Sequence, residues 1–229
     1  MKPAKKATLA KVILATGFGF ASLTASAAVT VPSYNIEAGK VIAEANCAAC
    51  HGANGVSAVP SQPNLGGQGV QYLYKQLVDF KTQARRNGIM EAQLKGLTQQ
   101  DLADVAGYYA SQAPWLPGYG NKATNDAAHK LFLGGDKTRG VIPCAGCHDP
   151  KGGGNEWAAF PRLGGQHASY LATQLKMFRA AGREDDVGSD QVRTNDSAKK
   201  GEKGMMQMVA AKLSDKDIKM LSEFLSAVH

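Results

Sequence analysis

One pentapeptide constrains this chain more than any other feature. Cys47-Ala48-Ala49-Cys50-His51 returns as Cys144-Ala145-Gly146-Cys147-His148, and the two copies use all four cysteines of the 229 residues. Cys-x-x-Cys-His is the attachment sequence for a c-type haem. Two thiols spaced by two residues can each bond one vinyl-derived carbon of the same macrocycle, and the histidine that follows is held beneath the iron. Two other readings compete. A redox dithiol would need one pair near a βαβ pattern, which follows neither copy. A zinc site made from both pairs would need no trailing histidine. Two covalent haem c groups are therefore expected, one on Cys47 and Cys50 and one on Cys144 and Cys147.

Residues 1–28 read as a secretory signal peptide. Lys2, Lys5, Lys6 and Lys11 precede an apolar stretch of small residues that ends in Ala25-Ser26-Ala27. The stretch is too short and too rich in Gly, Ser and Thr for a membrane anchor. Removing the four lysines lowers the formal charge from +7 to about +3, so the high sequence pI gives nucleic-acid binding no support.

The remaining chain repeats itself. Pro63-Asn64-Leu65-Gly66-Gly67-Gln68 matches Pro161-Arg162-Leu163-Gly164-Gly165-Gln166. Tyr72, Gln76 and Phe80 match Tyr170, Gln174 and Phe178, and Leu97-Thr98 with Asp101 matches Leu213-Ser214 with Asp217. The second half carries an 18-residue insertion between Phe178 and Met206. A duplicated domain is the simplest account, with domains at 29–118 and 119–229 and a Pro- and Gly-rich linker over 114–125.

Each half reads as helices joined by irregular loops, with no strand-like alternation. Helices are expected over 36–47, 70–84 and 169–181 from apolar residues at helical spacing. Two more are expected to start at Thr98 and Ser214 through capping boxes closed by Asp101 and Asp217. Leu102, Val105, Ala106 and Tyr109 line one face of the first, and Ile218, Leu221, Phe224 and Leu225 one face of the second.

A haem iron held by histidine needs a second ligand or an open position. Met90 is the one methionine between the leader and the second motif, and it stands eight residues before the cap Thr98. Met206 stands eight residues before Ser214, with Met205 and Met208 as competitors. A thioether is soft and neutral, so it favours ferrous iron and raises the potential. Pro63 and Pro161 follow the motif histidines by 12 and 13 residues; a carbonyl there could accept from the imidazole Nδ1. Leu65 and Leu163 would then pack on the macrocycle, and the glycine pairs would let the backbone approach it. His129, His167 and His229 read as surface or linker residues, Trp115 and Trp157 as core or interface packing, and Arg85-Arg86 and Lys199-Lys200 as solvated basic pairs. The insertion, polar and glycine-rich, is expected to be a loose loop that leaves the second site the less rigid.

Taken together, the two Cys-x-x-Cys-His motifs, the repeated Pro-x-Leu-Gly-Gly-Gln and the paired methionine-to-cap spacings resemble the dihaem cytochrome c4 family. The resemblance covers essentially the whole mature chain. It implies an all-α fold of two class I cytochrome c domains related by a pseudo-twofold axis. It implies His51 and Met90 on the first iron, and His148 and Met206 on the second. It also implies a periplasmic carrier, often loosely bound to the inner membrane, that takes electrons from a quinol-oxidising complex towards a terminal oxidase. No small-molecule substrate and no nucleic acid are expected as partners. The competing expectation is an enzyme, either the haem subunit of a periplasmic dehydrogenase or a dihaem peroxidase; the latter needs an exchangeable iron position and a longer chain.

Overall fold

The computed structural model describes Met1 and residues 30–116, 122–197, 199 and 201–228. The signal peptide beyond Met1, the linker between 117 and 121, Ala198, Lys200 and His229 lie outside the described residues. Among the described residues ten helices form, and no strand; isolated bridges pair Asp136 with Val141 and Asn155 with Phe160. The helices are five plus five. The first half has α1 (Ile36–Asn46), α2 (Ala48–His51), α3 (Val70–Lys81), α4 (Gly88–Gln93) and α5 (Gln99–Ser111). The second repeats them as α6 (Lys122–Gly134), α7 (Ala145–His148), α8 (Ala168–Arg183), α9 (Met205–Ala210) and α10 (Asp215–Ala227). Packing repeats as well: α1 on α5 and α3 on α5 become α6 on α10 and α8 on α10. No described helix is long and apolar enough to cross a membrane.

Local chemistry sets the helix starts. Asn35 caps α1 by accepting from the backbone N–H groups of Glu37 and Ala38. Both capping boxes form: Thr98 with Asp101 on α5, and Ser214 with Asp217 on α10. The helices they start carry the cores. Leu102, Val105, Ala106 and Tyr109 are buried with Leu73, Tyr74 and Phe80 of α3. Ile218, Leu221, Phe224 and Leu225 are buried with Phe132 of α6 and Leu171 of α8. The sequence expectation assigned residues up to 125 to the linker; α6 instead begins at Lys122, because its buried face at Ala128, Leu131 and Phe132 has α10 to pack against.

A glycine sets how closely α1 and α5 cross. A Cβ at Gly39 would overlap the backbone carbonyl of Asp104, which a side chain cannot move aside. Gly39→Ala should therefore force the helices apart and cost about 3 kcal/mol, read as a lowered denaturant midpoint of the first domain. An unchanged midpoint would show that the crossing is not set there.

Candidate functional site

Each Cys-x-x-Cys-His motif folds as one helical turn. Cys50 N–H reaches Cys47 O at 3.1 Å and His51 N–H reaches the same oxygen at 3.0 Å; Cys147 and His148 repeat this on Cys144 O at 3.2 and 3.0 Å. The next residue must turn sharply, with positive φ at Gly52 and at Asp149. All four cysteines are free of disulfides. Burial, with the neighbouring cysteine adding to it, pushes the Cys47 thiol up to about 11; burial likewise pushes Cys144 up to about 11. Such thiols are not the activated thiolates of a redox dithiol.

Both motif histidines are buried. His51 Nδ1 lies 3.0 Å from Pro63 O, and His148 Nδ1 lies 3.0 Å from Pro161 O. A carbonyl can only accept, so Nδ1 carries the proton and the Nε2 lone pair is left free. Burial lowers the pKa of both rings, against a smaller opposing effect of the carbonyl bond, which keeps them neutral at neutral pH.

The candidate methionines sit on the short helices α4 and α9. Met90 is partly buried and packs on the first core. Its N–H donates to Asn87 Oδ1 at 3.0 Å, the cap of α4. On α9, Met205 and Met208 are 48% and 52% exposed, whereas Met206 is only partly exposed. Met206 N–H donates to Asp196 Oδ2 at 2.6 Å. The chain beyond each methionine closes alike: Leu97 N–H reaches Leu94 O and Leu213 N–H reaches Ala210 O, at equal offsets from Met90 and Met206.

Leu65 and Leu163 pack, partly buried, on their own cores. The glycines after them have a role within the fold itself. A Cβ at Gly66 would lie 2.7 and 2.8 Å from the carbonyls of Asn54 and Ala113, and one at Gly164 would lie 2.9 Å from those of Lys151 and Val228. They make room for the chain's own backbone, which folds the loop behind the histidine onto the end of the last helix.

The glutamine that ends each Pro-x-Leu-Gly-Gly-Gln crosses to the other half. Gln166 accepts from Asn64 N–H and donates to Asn64 O, both at 2.9 Å. Gln68 accepts from Arg162 N–H at 2.7 Å and donates to Arg162 O at 2.9 Å. Each side-chain amide thus pairs with the backbone of the residue just after the histidine's proline. Sequence reading used this motif only for the haem; the signal it missed is that a glutamine amide offers one donor and one acceptor, which is what a free peptide edge takes up.

Two arginines complete the seam. Arg85 reaches Gln76 Oε1 at 2.8 Å in its own half, then Tyr170 OH at 3.0 Å and Gln174 Oε1 at 2.7 Å in the other. Arg193 reaches Gln174 Oε1 at 2.9 Å, then Tyr72 OH at 3.1 Å and Gln76 Oε1 at 2.9 Å. Each guanidinium also stacks on its own half's matching phenylalanine, Arg85 on Phe80 at 4.5 Å and Arg193 on Phe178 at 4.4 Å. The contacts are those of a pseudo-twofold interface. Arg85, expected to be solvated, is 7% exposed; Arg193 and Asn195, expected in a loose loop, are 5% and 9% exposed. The insertion is exposed over 183–191 and again at 199 and 201–203.

Two further expectations change. His167, read as a surface or linker residue, is half-buried in the seam with Nε2 3.0 Å from Ser57 O. Trp157, read as packed, is 86% exposed on the turn closed by Asn155 and Phe160, although the Phe160 ring lies 6.2 Å from that of His148. Trp115 is 44% exposed and lines a small cavity in the seam with Asn64, Gln68, Arg162 and Gln166.

The family model for cytochrome c matches residues 36–113 and again 142–229. A cytochrome c4 from Stutzerimonas stutzeri is 44% identical over 192 residues, covering 80% of this chain and 84% of the relative. The chain belongs to the cytochrome c4 family. The crystal structure of reduced recombinant cytochrome c4 from Pseudomonas stutzeri superposes with a TM-score of 0.73 at 40% identity, covering 86% of this chain and all of that one. A thiosulfate dehydrogenase electron acceptor from Stutzerimonas stutzeri strain A1501 is 33% identical over 185 residues, covering 80% of this chain and 78% of that protein. Membership in the cytochrome c4 family brings two covalently attached haem c groups and electron transfer. The donor set fits those groups: in each half two undisulfided thiols share a helical turn with a neutral imidazole whose Nδ1 is already engaged.

Proposed function

We propose that this chain is a periplasmic electron carrier, with thioether bonds at Cys47, Cys50, Cys144 and Cys147, His51 and Met90 on the first iron and His148 and Met206 on the second. The domains are 29–118 and 119–229. The pair of carbonyl-bound imidazoles carries the reading: His51 and His148 each have one nitrogen held at 3.0 Å by a proline carbonyl and the other free to ligate. Among the three clustered methionines, partial burial and the bond from its N–H to Asp196 favour Met206. When bound, the haems supply a one-electron ferric–ferrous couple. The protein fixes the imidazole tautomer, keeps its charge neutral and holds a soft sulfur on a capped helix. With a histidine and a methionine to hold each iron, neither would offer a place for peroxide or substrate, which argues against a catalytic role.

The resemblance supports a quinol-oxidising complex as donor and a terminal oxidase as acceptor, with loose attachment to the inner membrane. A second reading, acceptor for a periplasmic dehydrogenase, is favoured by the 33% identity to the thiosulfate dehydrogenase electron acceptor. Mixing the oxidised holoprotein with each donor and following haem reduction separates the two. The ferric protein should show sulfur-to-iron charge-transfer absorption at the red edge of its spectrum. Met90→Ala should remove half of that band and lower one of two potentials. A band and two potentials that survive the change would sink the Met90 assignment.

A further inference from the structure

The 18-residue insertion divides into ten residues ahead of Arg193 and eight behind Asn195, set against the spacing of Phe80, Arg85 and Met90. What lies between is the buried part. Arg193 extends into the first domain, onto Tyr72 and Gln76. Asn195 follows it there, donating to Gln76 Oε1 at 3.0 Å and to Asp79, while Lys75 Nζ donates to Asn195 O at 2.6 Å. The next residue turns the other way. Asp196 Oδ2 accepts from Met206 N–H at 2.6 Å and Gln207 N–H at 3.3 Å, and Oδ1 accepts from Gln207 Nε2 at 2.7 Å. Gly204 leaves space for this: a Cβ there would overlap the Asp196 carboxylate.

We propose that Arg193 and Asp196 are positioning residues for the sulfur ligand of the second haem, so that docking of the first domain holds that ligand in place. The proposal rests on Met206 being that ligand. α9 has six residues, too few to hold itself. Gly204 at its start has no side chain with which to cap it, so the free N–H groups of its first turn depend on a carboxylate from ten residues away. In the first half the cap Asn87 is three residues from Met90, and the chain itself keeps it there. In the second half the segment that carries the carboxylate is bonded to Gln207 of α9 through Ser197 Oγ at 2.8 Å, and its place in the fold is set across the seam, where Arg193 and Asn195 are fastened to the opposite domain. The two halves therefore share the seam arginine and differ in what tethers the cap.

The test uses full-length holoprotein in a Met90→Ala background, where the remaining sulfur-to-iron band reports on the second haem alone. Denaturant is raised until that band is lost. Asp196→Ala should lower the equilibrium constant for keeping the methionine about tenfold, the usual weight of a lost cap. Asp196→Asn, which keeps an acceptor oxygen, should retain most of it. Arg193→Gln, at a side chain whose hydrogen bonds go to Asn195, Gln174, Tyr72 and Gln76 and none to α9, should shift the loss in the same direction as Asp196→Ala. A midpoint unmoved by Arg193→Gln, or one unmoved by Asp196→Ala, overturns the positioning role. Met206→Ala in the same background checks the ligand itself: a band that survives this change removes the Met206 assignment and the proposal with it.

Discussion

Cys144→Ala combined with Cys147→Ala should leave one haem per chain and a second domain without fixed packing. The haem-to-protein ratio should fall from two to one, with the first haem's spectrum retained. The physical reason lies in what surrounds the motif. Cys144, Ala145, Leu163 and Leu175 are partly buried hydrophobics at the margin of the second core, and a covalently held macrocycle would be the apolar body against which they pack. A domain of this size has a margin of about 5–15 kcal/mol, and the loss of its largest apolar component should consume most of it. Far-ultraviolet circular dichroism should show helix lost from the second half. Two haems per chain after the double substitution would mean that the second pair is not the attachment site.

The next largest effect is expected at the seam. Gln68→Ala with Gln166→Ala removes four hydrogen bonds to the backbone of Asn64 and Arg162. Asn64 is buried, so its peptide groups would lose partners without gaining full access to water. At about 1–3 kcal/mol for each unsatisfied buried group, the docked state should lose several kcal/mol. The domains should then unfold in two separate transitions, and the radius of gyration from solution scattering should rise. A single transition and unchanged scattering would show that the remaining seam contacts, those of Arg85, Arg193, Asn195 and His167, hold the halves together without the glutamines. Because Asn64 and Arg162 directly follow the prolines whose carbonyls hold His51 and His148, the variant should also shift both potentials.

The sequence by itself determined the cofactor chemistry, the duplication and most helices. Those conclusions rest on short-range rules. Two thiols and a histidine in five residues must share one helical turn, and Thr98 with Asp101 must start a helix because a side chain three residues on can reach back to its cap. The proline carbonyls were legible for the same reason, lying at a matched distance behind each histidine. Tertiary structure alone decided the rest. Arg85 and Arg193 look like any solvated cation along the chain, and they are buried because a phenylalanine from their own half and tyrosine and glutamine oxygens from the other surround each guanidinium. The insertion looks disordered by composition, yet three hydrogen-bonding side chains, Arg193, Asn195 and Asp196, are enough to fasten it, because their partners lie more than a hundred residues away or on a helix the sequence did not foretell. Composition counts apolar surface and so misses order that comes from polar groups meeting across a symmetric seam. That order depends on where the two halves are placed, and placement appears only when the chain is folded.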